Sequence, residues 1–118
     1  MTKEEVLREF IKAYNKKDLK KCCDFFSKDI ELRSSYLGQL FPESKGIIIG
    51  KEALEDYLVL VFKSLSEHKS EEFTIKKVEQ YYIVQGNNID NTLNYYLHYY
   101  INDEDLIYLI KSNLTQPL

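Results

Sequence analysis

The chain has 118 residues, 44% hydrophobic and 30% charged, with a net charge of −3. That is one domain's worth of ordinary globular protein (residues 1–118), able to form a single core without metal or disulfide staples. Lysines interleaved with acids, as in Lys76-Lys77-Val78-Glu79, and the absence of a long apolar run argue against a nucleic-acid or membrane partner.

Thr2-Lys3-Glu4-Glu5 is a capping box, and Val6, Leu7, Phe10, Ile11 and Tyr14 follow at helical spacing, which predicts a helix over 3–15. Asp18 is placed to cap a second, shorter helix from Leu19 to Phe26. Ile30 to Arg33 reads as a short strand, 34–45 as a loop with Gly38 and Pro42, and Ile47-Ile48-Ile49 between two glycines as a second short strand. Leu54, Tyr57, Leu58, Val61, Phe62 and Leu65 keep one helical stripe, so the longest helix is expected over about 51–65.

The remainder reads as β. Phe73 to Val84 is expected as one long strand with a bulge near Lys76-Lys77, because its apolar set moves from odd positions (Phe73, Ile75) to even ones (Val78, Tyr82, Val84). Gln85-Gly86-Asn87-Asn88 signals a hairpin. From Thr92 to Asn102 the chain alternates, with Leu93, Tyr95, Leu97, Tyr99 and Ile101 on one face and Asn94, Tyr96, His98 and Tyr100 on the other. Asn102 to Asp105 turns into a last strand over 106–114. Helices gathered before an antiparallel meander specify an α+β fold: three N-terminal helices packed on a curved antiparallel sheet, forming a cone with an internal pocket.

Four stretches carry a family resemblance. Phe10 to Leu19 looks like the helix–Asn–x–x–Asp opening of nuclear transport factor 2-like (SnoaL-like) domains, and Phe26 to Leu32 like their helix-to-strand junction. Gly50-Lys51-Glu52-Ala53-Leu54 resembles the entry to their third helix, and Asp105-Leu106-Ile107 the turn into their final strand. Such domains commonly carry four strands after the third helix, where three long ones are expected here. The superfamily spans isomerases, polyketide cyclases, epoxide hydrolases and transport factors, so the likeness bears on fold rather than chemistry. It also implies homodimerisation through the sheet.

Ketosteroid-isomerase relatives oppose a carboxylate on the first strand to a Tyr on the first helix. The matching positions here are Ser34 and Phe10, which cannot supply that acid/base pair; Glu31 could do so only after a slip of register. His98, flanked by Tyr96 and Tyr100, is the candidate catalytic residue; alternatively, its face is the outer side of the sheet and an interface. Tyr14 and Tyr57 lie on core-facing helical stripes, with hydroxyls that can reach a cavity wall. Phe10, Tyr14, Ser34, Tyr57, Tyr96, His98 and Tyr100 are therefore the candidate ligand-binding set.

Two histidines thirty residues apart argue against a metal site, and no cofactor motif is present. The adjacent Cys22 and Cys23 read as small buried apolar side chains in a reducing compartment, and the polar Met1–Glu5 start as a cytoplasmic N-terminus. Three functions remain: a protein binding a small, mostly apolar ligand in the cone, an isomerase, cyclase or hydratase with a non-standard acid/base pair, or a dimeric interaction module.

Overall fold

The capping box forms as the sequence specifies: Thr2 Oγ1 accepts the Glu5 N–H at 3.1 Å, and Glu5 Oε1 accepts the Thr2 N–H at 3.1 Å. These bonds start α1, Lys3–Asn15, in a computed structural model that describes residues 2–34, 37–38, 41–64, 73–87 and 94–113. Among these, the side chains of 64, 73, 86, 87, 94–96 and 113 lie outside the description. Asp18 caps α2, Leu19–Asp24, by accepting the Lys21 N–H at 3.2 Å. There follow β1 (Phe26–Ser34), a 3-10 turn (Pro42–Ser44), β2 (Ile47–Ile49) and α3 (Lys51–Ser64). The sheet is completed by β3 (Phe73–Val78), β4 (Tyr81–Asn87), β5 (Asn94–Ile101) and β6 (Ile107–Asn113).

The expected single strand over 73–84 is corrected to two strands. Val78 pairs with Tyr81, so Glu79-Gln80 is a two-residue turn, with Glu79 in the left-handed region at φ 42°. The odd-to-even change in the apolar set has its origin here. Across a two-residue hairpin, paired positions sum to an odd number, so Ile75 faces Val84 and the buried set changes parity without a bulge. The expected turn at 85–88 is displaced as well: β4 continues through Asn87, which pairs with Asn94, and the connection occupies 88–93, outside the described residues. Four strands thus follow α3.

The six strands form one curled sheet in the order β2-β1-β6-β5-β4-β3. All neighbours are antiparallel except β1 and β6, which run parallel with Leu32 opposite Ile110 and Ser34 opposite Ser112. The helices cover one face. There Leu7, Phe10, Ile11, Cys22, Phe26, Ile30, Leu32, Leu54, Leu58, Tyr82, Val84, Tyr99, Ile101 and Ile110 make a single buried cluster. Phe10 lies at its aromatic centre, with ring centroids 5.5 Å from Phe26, 5.7 Å from Tyr99 and 6.1 Å from Phe25. The architecture is an α+β cone. No helix among the described residues is long and apolar enough to cross a membrane.

Candidate functional site

Strand registers place the inner-face side chains in rows. One row runs Ile75, Val84, Leu97, Ser112 and Ser34 across β3, β4, β5, β6 and β1; the next runs Tyr82, Tyr99, Ile110, Leu32 and Ile48. The second row is mostly sealed, with Tyr99, Tyr82, Ile110 and Leu32 buried. The first is partly open: Val84 and Ser34 are buried, whereas Ile75, Leu97 and Ser112 are half-buried. On the helical side, Tyr14 and Phe62 meet edge-on with centroids 5.3 Å apart, and both they and Tyr57 are half-buried against the core. Tyr14 follows Phe10 by one helical turn, ~6 Å along α1, so the aromatic column runs from the sealed centre towards partly exposed positions.

Ser34 ends β1 with a buried side chain whose Oγ accepts the Leu37 N–H at 3.2 Å. A hydroxyl accepting one bond still has a proton to donate. Ser34 is the one fully polar side chain buried among the described residues, which include no buried carboxylate or imidazole. Such an inner face suits an apolar molecule oriented by hydroxyl groups rather than acid/base chemistry.

The structure divides the sequence-derived set. Phe10, Tyr14, Ser34 and Tyr57 belong to the inner face and the helices that cover it. His98 and Tyr100 occupy the outer face, because Leu97, Tyr99 and Ile101 are the β5 residues that pack inward. Tyr96 is on β5 opposite Gln85 and Asn113, and its side chain lies outside the described residues. Glu31 does not slip into the place of a catalytic base. It lies between the buried Ile30 and Leu32, in register with the exposed Ile49, and is paired with Arg33.

On the outer face Tyr81 stacks on His98 with centroids 5.1 Å apart and on Tyr100 at 5.0 Å, while Lys111 Nζ lies 5.4 Å from the Tyr100 ring centre. Burial and then the charge of Lys111 push the His98 pKa down, which keeps the imidazole neutral. Burial likewise pushes the Cys22 thiol up to about 12 and raises that of Cys23, so neither is an activated nucleophile. The described residues bring together no group of three or more His, Cys, Asp or Glu placed to hold a metal ion.

Sequence reasoning did not find that Ser112, Leu97 and Ile75 share one sheet row with Ser34. Their row depends on the parallel pairing of β1 with β6, for which local sequence carries no signal. Tyr14 and Phe62 were each visible on their helical stripes, but their contact was not.

No protein-family model and no curated protein matches the sequence. Solved structures do. A SnoaL-like protein of unknown function from Burkholderia thailandensis superposes with a TM-score of 0.84 at 14% identity, covering 98% of this chain and 99% of that one. A nuclear transport factor 2-like protein of unknown function from Burkholderia xenovorans gives 0.71 at 14% identity, covering 98% and 84%. TerC, co-crystallised with polyporic acid, gives 0.77 at 12% identity, covering 96% and 91%. Likeness at such identities speaks for the fold alone.

Proposed function

From the premise that this chain has the nuclear transport factor 2-like, SnoaL-like fold, we propose that it binds a small, mostly apolar molecule on the inner face of its cone, without acid/base catalysis. One observation carries this reading. Tyr14, Tyr57, Phe62, Ile75 and Leu97 are large apolar side chains left half-buried against an otherwise sealed core, and Leu97 shares its sheet row with the buried hydroxyl of Ser34. Covering such surface is favourable by about 25 cal/mol per Å², and an apolar ligand with a hydrogen-bond acceptor would cover it and accept from Ser34. The co-crystallisation of TerC with polyporic acid adds support, since it shows a neighbour of this fold in company with a small organic acid. Two unbridged cysteines agree with work in the reducing cytoplasm.

Thermal denaturation against a panel of lipophilic small molecules, polyporic acid included, tests the reading. A true ligand at a hundred times its Kd adds about 2.7 kcal/mol of stability and raises the Tm by several degrees. Leu97→Arg, which puts a charge into the half-buried row, should abolish that rise while the protein remains folded. A panel that leaves Tm unmoved throughout would remove the proposal.

A second reading rests on the outer face, where Tyr108 is exposed beside the Tyr81–Tyr100 stack and Ile49 is exposed on the edge strand β2. Exposed aromatics and aliphatics on a sheet are what a two-fold homodimer covers. Light scattering at high micromolar concentration decides it, and a monomer there would end it.

A further inference from the structure

We propose that the chain has a second, separate binding site, for a multivalent oxyanion, at the β2–β1–β6 edge of the sheet. Arg33 on β1 is in register with Lys111 on β6 and with Ile47 on β2, so all three present side chains to the outer face in one row. The segment leading into β2 bends over the end of this row. Lys45 takes the left-handed conformation (φ 56°), Gly46 follows at φ 79°, and Gly46 is tied to β1 by the Ser34 N–H, which donates to its carbonyl at 2.8 Å. Together these residues line a cleft of about 430 Å³. That volume suits a small molecule rather than a single ion.

The charges of the cleft are unbalanced. Arg33, Lys45 and Lys111 contribute three positive charges to its wall. The one carboxylate paired with them among the described residues is that of Glu31, on Arg33 Nε. Three positive charges minus one negative leave +2 in a protein whose net charge is −3. Glu31 binds Arg33 through Nε; the terminal nitrogens of a guanidinium are the pair that grips phosphate or carboxylate oxygens side by side. Lys111 is steadied over the Tyr100 ring, so its ammonium is partly ordered in advance.

Two glycines let the segments beside the cations pack closely: a Cβ on Gly46 would lie 2.7 Å from the Ser34 carbonyl oxygen, and one on Gly38 would come within 3.4 Å of the Gly46 nitrogen. Recognition of an anion therefore falls to the side chains of Arg33, Lys45 and Lys111. Ser34 borders this cleft as well as the apolar row, but the cationic side chains of Arg33 and Lys111 project from the opposite face, and variants at these two positions test the site independently of the apolar-ligand reading.

The test is a titration of the intact chain followed by amide NMR, at constant ionic strength, with pyrophosphate, citrate and chloride as probes. Pyrophosphate, citrate or both should give saturable shifts centred on Ser34, Gly38, Gly46, Ile47 and Lys111, and the two arms tell a phosphate preference from a carboxylate one. Arg33→Gln and Lys111→Gln should each weaken the binding about tenfold, and Lys45→Gln, on an exposed loop, gives a variant with no bearing on folding. Lys20→Gln, at an exposed position of α2, should change nothing. Shifts that do not saturate, that equal those from chloride, or that persist unchanged in the Arg33→Gln/Lys111→Gln double variant would overturn the site.

Discussion

Phe10 of α1 meets Tyr99 of β5 edge to face, with centroids 5.7 Å apart and ring planes inclined at 61°. This contact sets the orientation of β5: Leu97, Tyr99 and Ile101 pack inward, and His98 and Tyr100 are left to the outer face. Phe10→Ala should therefore lose about 3–5 kcal/mol of stability, because the ring also touches Phe25, Phe26 and Tyr14. Tyr99→Ala combined with Phe10→Ala should lose less than the sum of the two, as contacting residues do. Urea unfolding of the single and double variants measures both effects.

Gly46 and Gly50 both have positive φ, at 79° and 100°, but their surroundings differ. An added Cβ meets the Ser34 carbonyl oxygen at Gly46 and nothing within 4 Å at Gly50. Gly50→Ala should cost about 1–2 kcal/mol of backbone strain, and Gly46→Ala clearly more. Equal melting temperatures for the two variants would contradict this packing.

His98 titrates below its ordinary value of 6.5, through burial first and Lys111 second. The folded protein therefore disfavours the imidazolium. Its contribution to stability is complete above 6.5 and declines as pH falls below that value through the lowered folded pKa. His98→Asn should flatten the decline in stability between about pH 7 and 5. In NMR titrations Lys111→Gln should raise the His98 pKa without restoring it fully, since burial remains; an unchanged value would show that Lys111 does not act on the ring.

Cys22 is fully buried and its thiol is pushed up to about 12 by burial, then by Cys23 and Asp18. At about pH 8 the thiolate is scarce and shielded, so a disulfide exchange reagent should leave Cys22 unmodified in the folded protein and react with it fully in guanidinium. Rapid labelling of native protein would contradict the burial of α2 against the core.

Local chemistry determined the helices. The Thr2–Glu5 box, the Asp18 cap and the Leu54–Phe62 stripe act over a few residues, and each appears where its residues stand. The alternation of β5 was also legible, but not which of its faces turns inward: Leu97, Tyr99 and Ile101 pack against the helices, and His98 and Tyr100, two of the candidate ligand-binding residues, do not. The Glu79-Gln80 turn was not legible, because it contains no Gly, Asn or Pro, and a two-residue hairpin produces the same parity change as a bulge. Long-range pairing was beyond the sequence altogether. Ser34 beside Ser112 and Arg33 beside Lys111 require β1 and β6, nearly eighty residues apart, to lie parallel. That register follows from burying Leu32 with Ile110 beneath the helices, a property of the closed core rather than of either segment. The composition of both candidate sites was therefore present in the chain, while their assembly was decided by the tertiary fold.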